Sequence, residues 1–68
     1  MKKFAERLKE LREENNLSQA DLALKIKVSV ACISRWEANL RVPNIDSIIV
    51  LCKFFNCSSD YLIGLKDY

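Results

Sequence analysis

The sequence predicts an all-α fold, a compact domain of five short helices that spans residues 1–68. Glycine and proline each occur once, at Gly64 and Pro43, whereas a β-rich fold needs more of both at its turns. Apolar residues recur instead at helical spacing in five successive segments. The predicted helices cover about residues 2–15, 19–26, 30–38, 45–55 and 59–64.

The first two predicted helices carry apolar stripes, and the second has a clear start signal. Phe4, Leu8 and Leu11 follow one another at i, i+4 and i+7, and charged residues occupy the other faces. Ser18 precedes the second helix as its N-cap, and Asp21 follows three residues later as in a short capping box. The inward residues of this helix are Leu22, Ala23 and Ile26.

The third predicted helix has an outward face that does not suit water. Ser29 is its N-cap, and Ile33 and Trp36 form its inward face at 100° per residue. The opposite face begins with Val30 and Ala31, which are apolar where a solvent-exposed helix would be polar. This pattern favours a partner other than water.

The fourth and fifth predicted helices complete the core. Asn44 caps the fourth, Ser58 caps the fifth, and Gly64 ends the chain of helices. The fifth helix turns Tyr61 and Leu62 inward. The predicted core stripe of the fourth helix consists of Ile45, Ile48, Ile49, Cys52 and Phe55.

The composition excludes several classes of function. A net charge of +2 is too small to identify a partner by itself. The chain lacks histidine, the usual general base and commonest metal ligand, and its cysteines (Cys32, Cys52 and Cys57) form no CxxC pair. We therefore expect no enzymatic activity, metal, cofactor or small-molecule effector. Without a signal peptide or an apolar run near the ~20 residues of a membrane span, we expect a cytoplasmic protein.

Three fragments carry a resemblance to a known family. These are LREENNLSQADLA at the entry to the second helix, SRWEANLRVPNIDSI at the exit from the third, and CSSDYLIG at the fifth. In this order and spacing the chain resembles the phage repressor and Cro family of helix-turn-helix proteins, also called Xre-like. The resemblance covers nearly the whole chain. It implies a lambda-repressor-like fold and a sequence-specific transcriptional regulator, a repressor rather than an activator, that binds a palindromic operator in double-stranded DNA as a homodimer.

The chain departs from the family pattern at two places. The tight turn between helices two and three usually holds glycine at positive φ, but here Lys27 stands there, at a cost on the order of 1 kcal/mol. After Glu37 the family often has Asn-Gly, whereas this chain has Ala38-Asn39. Asparagine also adopts the left-handed conformation, so the second departure is mild.

The resemblance places the third helix in the major groove, with its N-terminal half reading base edges. Arg35 can donate two hydrogen bonds to guanine, Ser34 can bond a base or a phosphate, and the apolar residues can contact thymine methyl groups. The alternatives are a solvated surface arginine and a helix start without function. The predicted base-contacting residues are Val30, Ala31, Ser34 and Arg35.

Phosphate contacts are predicted around the second and third helices. Backbone N–H groups at the start of a helix attract anions, and Ser18 and Gln19 stand at the start of the second. The resemblance also pairs Arg12 with Glu37 as a scaffold that fixes the angle of helix three; the alternative is a loose surface ion pair worth ~0–1 kcal/mol. The predicted phosphate-contacting residues are Ser18, Gln19, Lys27, Asn39 and Arg41.

A dimer interface is predicted on the fourth helix. Val50 and Phe54 stand at i and i+4, roughly opposite the predicted core stripe, and form an apolar patch unless helix five or the tail at 65–68 covers them. The possible interface residues are Val50, Phe54, Cys57, Ser59 and Tyr61.

Two other functions stay open at this point. The same fold can serve as an antitoxin or another protein-interaction module, which would use Val50 and Phe54 to bind a different protein. A redox switch at Cys32 is the third possibility, since a helix N-terminus can lower the pKa of a thiol; the simpler alternative is a small packing residue.

Overall fold

The computed structural model describes residues 1–67, and in this range all regular secondary structure is helical. Each helix begins where the sequence predicts, and no end differs from its prediction by more than one residue. The helices are α1 (Lys2–Glu14), α2 (Gln19–Ile26), α3 (Val30–Glu37), α4 (Ile45–Phe55) and α5 (Ser59–Ile63).

Short polar side chains start four of the five helices. The hydroxyl of Ser18 accepts the backbone N–H of Asp21 at 2.9 Å, and the Asp21 carboxylate accepts the Ser18 N–H at 3.0 Å, so the predicted capping box forms. These two hydrogen bonds lower the pKa of Asp21 below its ordinary value. The predicted caps of α3, α4 and α5 also form, at Ser29, Asn44 and Ser58.

All five helices end in the same way, on a residue with positive φ followed by an apolar residue. The apolar residue donates its N–H to the carbonyl five positions back, as in a Schellman motif. These bonds are Leu17 to Arg12, Val28 to Ala23, Leu40 to Arg35, Cys57 to Cys52 and Leu65 to Asp60. The residues with positive φ are Asn16, Lys27, Asn39, Asn56 and Gly64.

The core lies where the five helices meet. Phe4 and Trp36 pack edge to face, with ring centroids 6.1 Å apart, and so join α1 to α3. The interior is closed to water, since six of its side chains are less than 2% exposed. These are Phe4, Leu8, Leu22, Ile33, Leu51 and Leu62.

The predicted core stripe of α4 is wrong in part. Ile45 is 69% exposed and Ile49 is 48% exposed, whereas Leu51, which lies outside the predicted stripe, is fully buried. Most residues of this helix are apolar, so several stripes of equal spacing fit its sequence. Packing against α2 and α5 selects the stripe that contains Ile48, Leu51 and Phe55.

One buried charge was not predicted at all. Arg7 is 9% exposed, and its guanidinium lies 4.4 Å above the ring of Tyr61. It donates hydrogen bonds to the carbonyl oxygens of Tyr61 and Lys66 and forms an ion pair with Asp67 at 3.3 Å. The C-terminal segment is thereby held against α1, and Tyr68 lies outside the described residues.

None of the helices described between residues 1 and 67 is long and apolar enough to cross a membrane.

Candidate nucleic-acid interface

The candidate interface is built on α2 and α3, which meet across a tight turn. Leu22, Ala23 and Ile33 are at most 3% exposed and fill the wedge between the two helices. The turn contains Lys27 at φ 61°, in the left-handed region that the sequence predicted for this position. Two short helices joined in this way have the helix-turn-helix arrangement.

The outward face of α3 carries exposed side chains. Val30 is 46% exposed, and Ala31, Ser34 and Arg35 are also exposed. In the part of the chain that the structure describes, neither Ser34 nor Arg35 has a side-chain hydrogen bond or an ion pair. One long donor therefore stands among small side chains on an open face.

A buried polar network holds α3 to the rest of the domain. Arg12 Nε donates to Glu37 Oε2 at 2.7 Å and Arg12 Nη2 to Glu37 Oε1 at 3.0 Å, while Nη1 donates to the Leu17 carbonyl at 2.8 Å. The two side chains are only 11% and 5% exposed. The hydrogen bond to Glu37 is the main cause of the raised pKa of Arg12. This is a buried two-point ion pair, and the alternative of a loose surface pair does not apply.

The amide of Gln19 extends this network to the start of α2. Its Nε2 donates to Glu37 Oε1 at 3.1 Å, so the first residue of α2 lies against the last residue of α3. An amide nitrogen has two N–H donors, and Glu37 takes one of them. The sequence did not predict this contact, because residues 18 positions apart show no local pattern.

The other predicted phosphate contacts lie before α2, at Ser18, and around the two ends of α3. Lys27 and Arg41 are exposed, one in the turn before the helix and the other in the loop after it. The Ser18 hydroxyl is engaged in capping α2, and Asn39 Oδ1 accepts a hydrogen bond from the amino group of Met1 at 3.0 Å. Lys27 and Arg41 are thus the exposed cations of this set.

Cys32 lies on the flank of α3 rather than on its open face. Its side chain is half-buried and packs against the core. The structure thus places this thiol among packing residues.

The predicted interface residues on α4 and α5 differ in their exposure. Val50 is 43% exposed and Phe54 is 38% exposed, so helix five leaves both open. Ser59 is exposed, while Tyr61 is half-buried beneath Arg7. Burial raises the pKa of the half-buried Cys57 thiol to about 11.

This geometry is that of a known class of proteins. A family model described as helix-turn-helix matches residues 8–62, which include the whole of α2, α3 and α4. The chain belongs to the helix-turn-helix family, of the phage repressor and Cro (Xre-like) type.

Two relatives represent the family's opposite modes of regulation. The HTH-type transcriptional activator BcrR of Enterococcus faecalis is 39% identical over 64 residues, which are 94% of this chain and 31% of BcrR. Repressor protein C2 of Salmonella phage P22 is 36% identical over 60 residues, which are 88% of this chain and 28% of that repressor. The chain spans at most 57% of the length of the curated relatives that it matches.

A solved structure gives the same fold. The crystal structure of the P22 c2 repressor in complex with a synthetic operator superposes with a TM-score of 0.83 at 34% sequence identity. The match covers 91% of this chain and 94% of that one. The lambda-repressor-like fold that the sequence resemblance implied is therefore confirmed.

Proposed function

We propose that this chain is a sequence-specific, double-stranded DNA-binding transcriptional regulator that acts as a repressor, in the cytoplasm, as a homodimer on a palindromic operator. The observation that carries the proposal is the outward face of α3. Its side chains are exposed, and among residues 1–67 neither Ser34 nor Arg35 has a side-chain hydrogen bond or an ion pair, while a network around Glu37 holds the helix to α1 and α2. Residues 1–68 act in this proposal as one DNA-binding domain.

Arg35 is the main base-reading residue in this proposal. A guanidinium in the major groove donates to both O6 and N7 of guanine, a contact worth about 1–3 kcal/mol of discrimination. Val30 and Ala31 lie on the same helix and can contact thymine methyl groups, and Ser34 can bond a base or a phosphate. The preferred half-site accordingly contains a guanine beside thymine-rich positions.

Gln19, Lys27 and Arg41 set the register of the domain on the DNA backbone. The second N–H donor of the Gln19 amide remains available when the first is bonded to Glu37, and Glu37 thereby orients it. Lys27 and Arg41 add exposed positive charge at the two ends of α3, and Ser18 at the start of α2 and Asn39 after α3 are the further proposed contacts. Such contacts position a protein without reading sequence.

A homodimer and repression complete the proposal. One unit this small makes few contacts, whereas a two-fold dimer reads two half-sites about 34 Å apart on a palindrome. Val50 and Phe54, with Cys57, Ser59 and Tyr61, are the proposed interface. A bound domain can repress simply by occupying its operator, whereas activation needs a further surface that contacts another protein. The relatives named above include both an activator and a repressor.

The two kinds of DNA contact are separated by Arg35→Ala and Gln19→Ala. Arg35→Ala should reduce discrimination at one base pair of each half-site by about 1–3 kcal/mol and leave nonspecific affinity in place. Gln19→Ala should weaken binding to all duplexes alike, because it removes a phosphate contact. Fluorescence anisotropy on the selected operator and on its single-base variants measures both effects.

Lys25→Ala, an exposed position on α2 outside the predicted contacts, is the control. Equal losses for Arg35→Ala on every sequence would contradict its role in base reading.

The second candidate is a protein-interaction module such as an antitoxin. The observation in its favour is the exposure of Val50 and Phe54, which can bind a different protein as well as a second copy. A protein that stays monomeric in isolation and binds no DNA at low salt would favour this candidate.

A further inference from the structure

The outward face of α4 has an arrangement of charges that the DNA-binding surface does not use. Asp46 and Lys53 are both exposed, and within residues 1–67 neither has a side-chain hydrogen bond or an ion pair. They are seven residues apart, which is two helical turns or about 10 Å, and at 100° per residue they lie on nearly the same line along the helix. One end of this line is acidic and the other is basic.

Apolar side chains occupy the middle of the same face. Ile49 is 48% exposed and Val50 is 43% exposed, and they flank the line of charge on either side, halfway between Asp46 and Lys53. The midpoint of the helix segment from Asp46 to Lys53 lies between Ile49 and Val50. The face therefore has an apolar centre with one opposite charge at each end.

We propose that this face binds the same face of a second copy in antiparallel orientation, with Asp46 paired to the partner's Lys53 and Lys53 to the partner's Asp46. A two-fold axis beside the midpoint of α4 reverses the direction of the partner helix. Each Asp46 then lies level with the opposite lysine, and two helices at about 8–10 Å bring the side chains within reach. Ile49 and Val50 each meet their own counterparts at the centre.

The charges select this orientation over the others. In a parallel arrangement each carboxylate would lie beside the partner's carboxylate and each ammonium beside the partner's ammonium, which is repulsive. A shift of one helical turn would leave the charges unpaired and move the apolar centres apart. The antiparallel register alone satisfies both the charges and the apolar residues.

The inference rests on the homodimer of the proposed function and specifies its geometry. It adds Asp46, Ile49 and Lys53 to the interface and gives Val50, which the sequence also predicted, a position beside the two-fold axis. Ile45 and Phe54 lie at the outer edges of the same face, with exposures of 69% and 38%. Their exposure on an isolated chain is explained if a second copy covers part of this face.

Charge reversal tests the pairing. Sedimentation equilibrium without DNA should show that Asp46→Lys and Lys53→Asp each weaken dimerisation about tenfold or more, because each replaces two attractions with two repulsions. The double variant Asp46→Lys/Lys53→Asp restores opposite charges and should dimerise like the wild type. An equimolar mixture of the two single variants should also form dimers. These differences should diminish in about 1 M salt, where the Debye length is about 3 Å.

Glu10→Lys on α1 is the matched control, since it changes the charge of an exposed acid by the same amount. It should dimerise like the wild type, and its mixture with Lys53→Asp should not restore dimers. Circular dichroism on each variant separates loss of pairing from loss of folding, and the restored double variant keeps the test decisive if a single variant unfolds.

Two results would overturn the proposal. The first is that the single variants dimerise as well as the wild type. The second is that the wild type stays monomeric at about 0.5 mM, a concentration at which only a dimer with a Kd above the millimolar range would escape detection. The DNA experiment is separate. A protein that dimerises through α4 but selects no sequence contradicts the proposed function alone, and a monomer that selects a sequence contradicts this inference alone.

Discussion

Glu37 connects three parts of the molecule at the scale of single residues. Its carboxylate accepts hydrogen bonds from Arg12 on α1 and from Gln19 on α2, while the residue itself ends α3. The Glu37 side chain is only 5% exposed, so water has little access to replace the hydrogen bonds that Arg12 and Gln19 donate to it. The same carboxylate therefore holds α3 in place and orients the amide of Gln19, a proposed phosphate contact.

Replacing Glu37 by Gln should lower the free energy of unfolding by about 3 kcal/mol, because it leaves the buried guanidinium of Arg12 without its counter-charge. Urea denaturation followed by circular dichroism measures the change. The double variant Arg12→Met/Glu37→Met should lose less, since apolar residues of similar volume can replace a buried ion pair.

Glu10→Gln is the control for this measurement, because Glu10 is an exposed acid of α1 without a side-chain hydrogen bond among the described residues. If Glu37→Gln and Glu10→Gln unfold at the same urea concentration, the buried pair does not stabilise the domain in the manner described.

Single residues also mark the limit of prediction from sequence. The pairing of Arg12 with Glu37 was available only from the resemblance, and the bond from Gln19 was not predicted. Arg7 shows why: its partners are carbonyl oxygens of the C-terminal segment, more than 50 positions away. Such partners have no signature in local periodicity, and a buried arginine has the same sequence pattern as a solvated one.

At the scale of elements, start and stop signals account for most of what could be predicted. Ser18, Ser29, Asn44 and Ser58 cap helices because their oxygens accept otherwise unpaired N–H groups, and this chemistry is local. The orientation of α4 could not be predicted in the same way. Its many apolar residues permit several inward faces, and only contact with α2 and α5 decides among them.

The end of α2 is the one described helix end at which the residue with positive φ, Lys27, is neither glycine nor asparagine. A lysine at φ 61° is strained relative to glycine, so Lys27→Gly should raise the free energy of unfolding by about 1 kcal/mol. The same variant should weaken binding to all DNA sequences and reduce the slope of log K against log salt by about 1, because a phosphate contact is lost. Thermal denaturation and salt titration measure the two effects.

Lys25→Gly, two residues earlier and inside α2, provides the comparison. It places glycine at a helical position of α2 and should lower the free energy of unfolding by about 1 kcal/mol. A Lys27→Gly variant that is less stable than the wild type would contradict the strain at this turn.

At the scale of the whole molecule, the described helices divide the surface between two tasks. The face of α3 with Arg35 is proposed to meet DNA, and the exposed face of α4 is proposed to meet a second copy. The two faces lie on different helices. The sequence predicted the first face from its small apolar residues and lone arginine, and it predicted Val50 and Phe54 on the second. It placed Ile49 in the core, and the 48% exposure of that side chain became known only from the structure.

The task proposed for this domain is to read a DNA sequence. Selection from random duplex DNA, followed by measurement of Kd for the enriched duplex and for a scrambled one at physiological salt, tests it most directly. We predict enrichment of a two-fold symmetric site with half-sites about 34 Å apart and an affinity at least about 10³-fold higher for that site than for the scrambled duplex. Equal affinity for the two duplexes, or no binding at low salt, would contradict it.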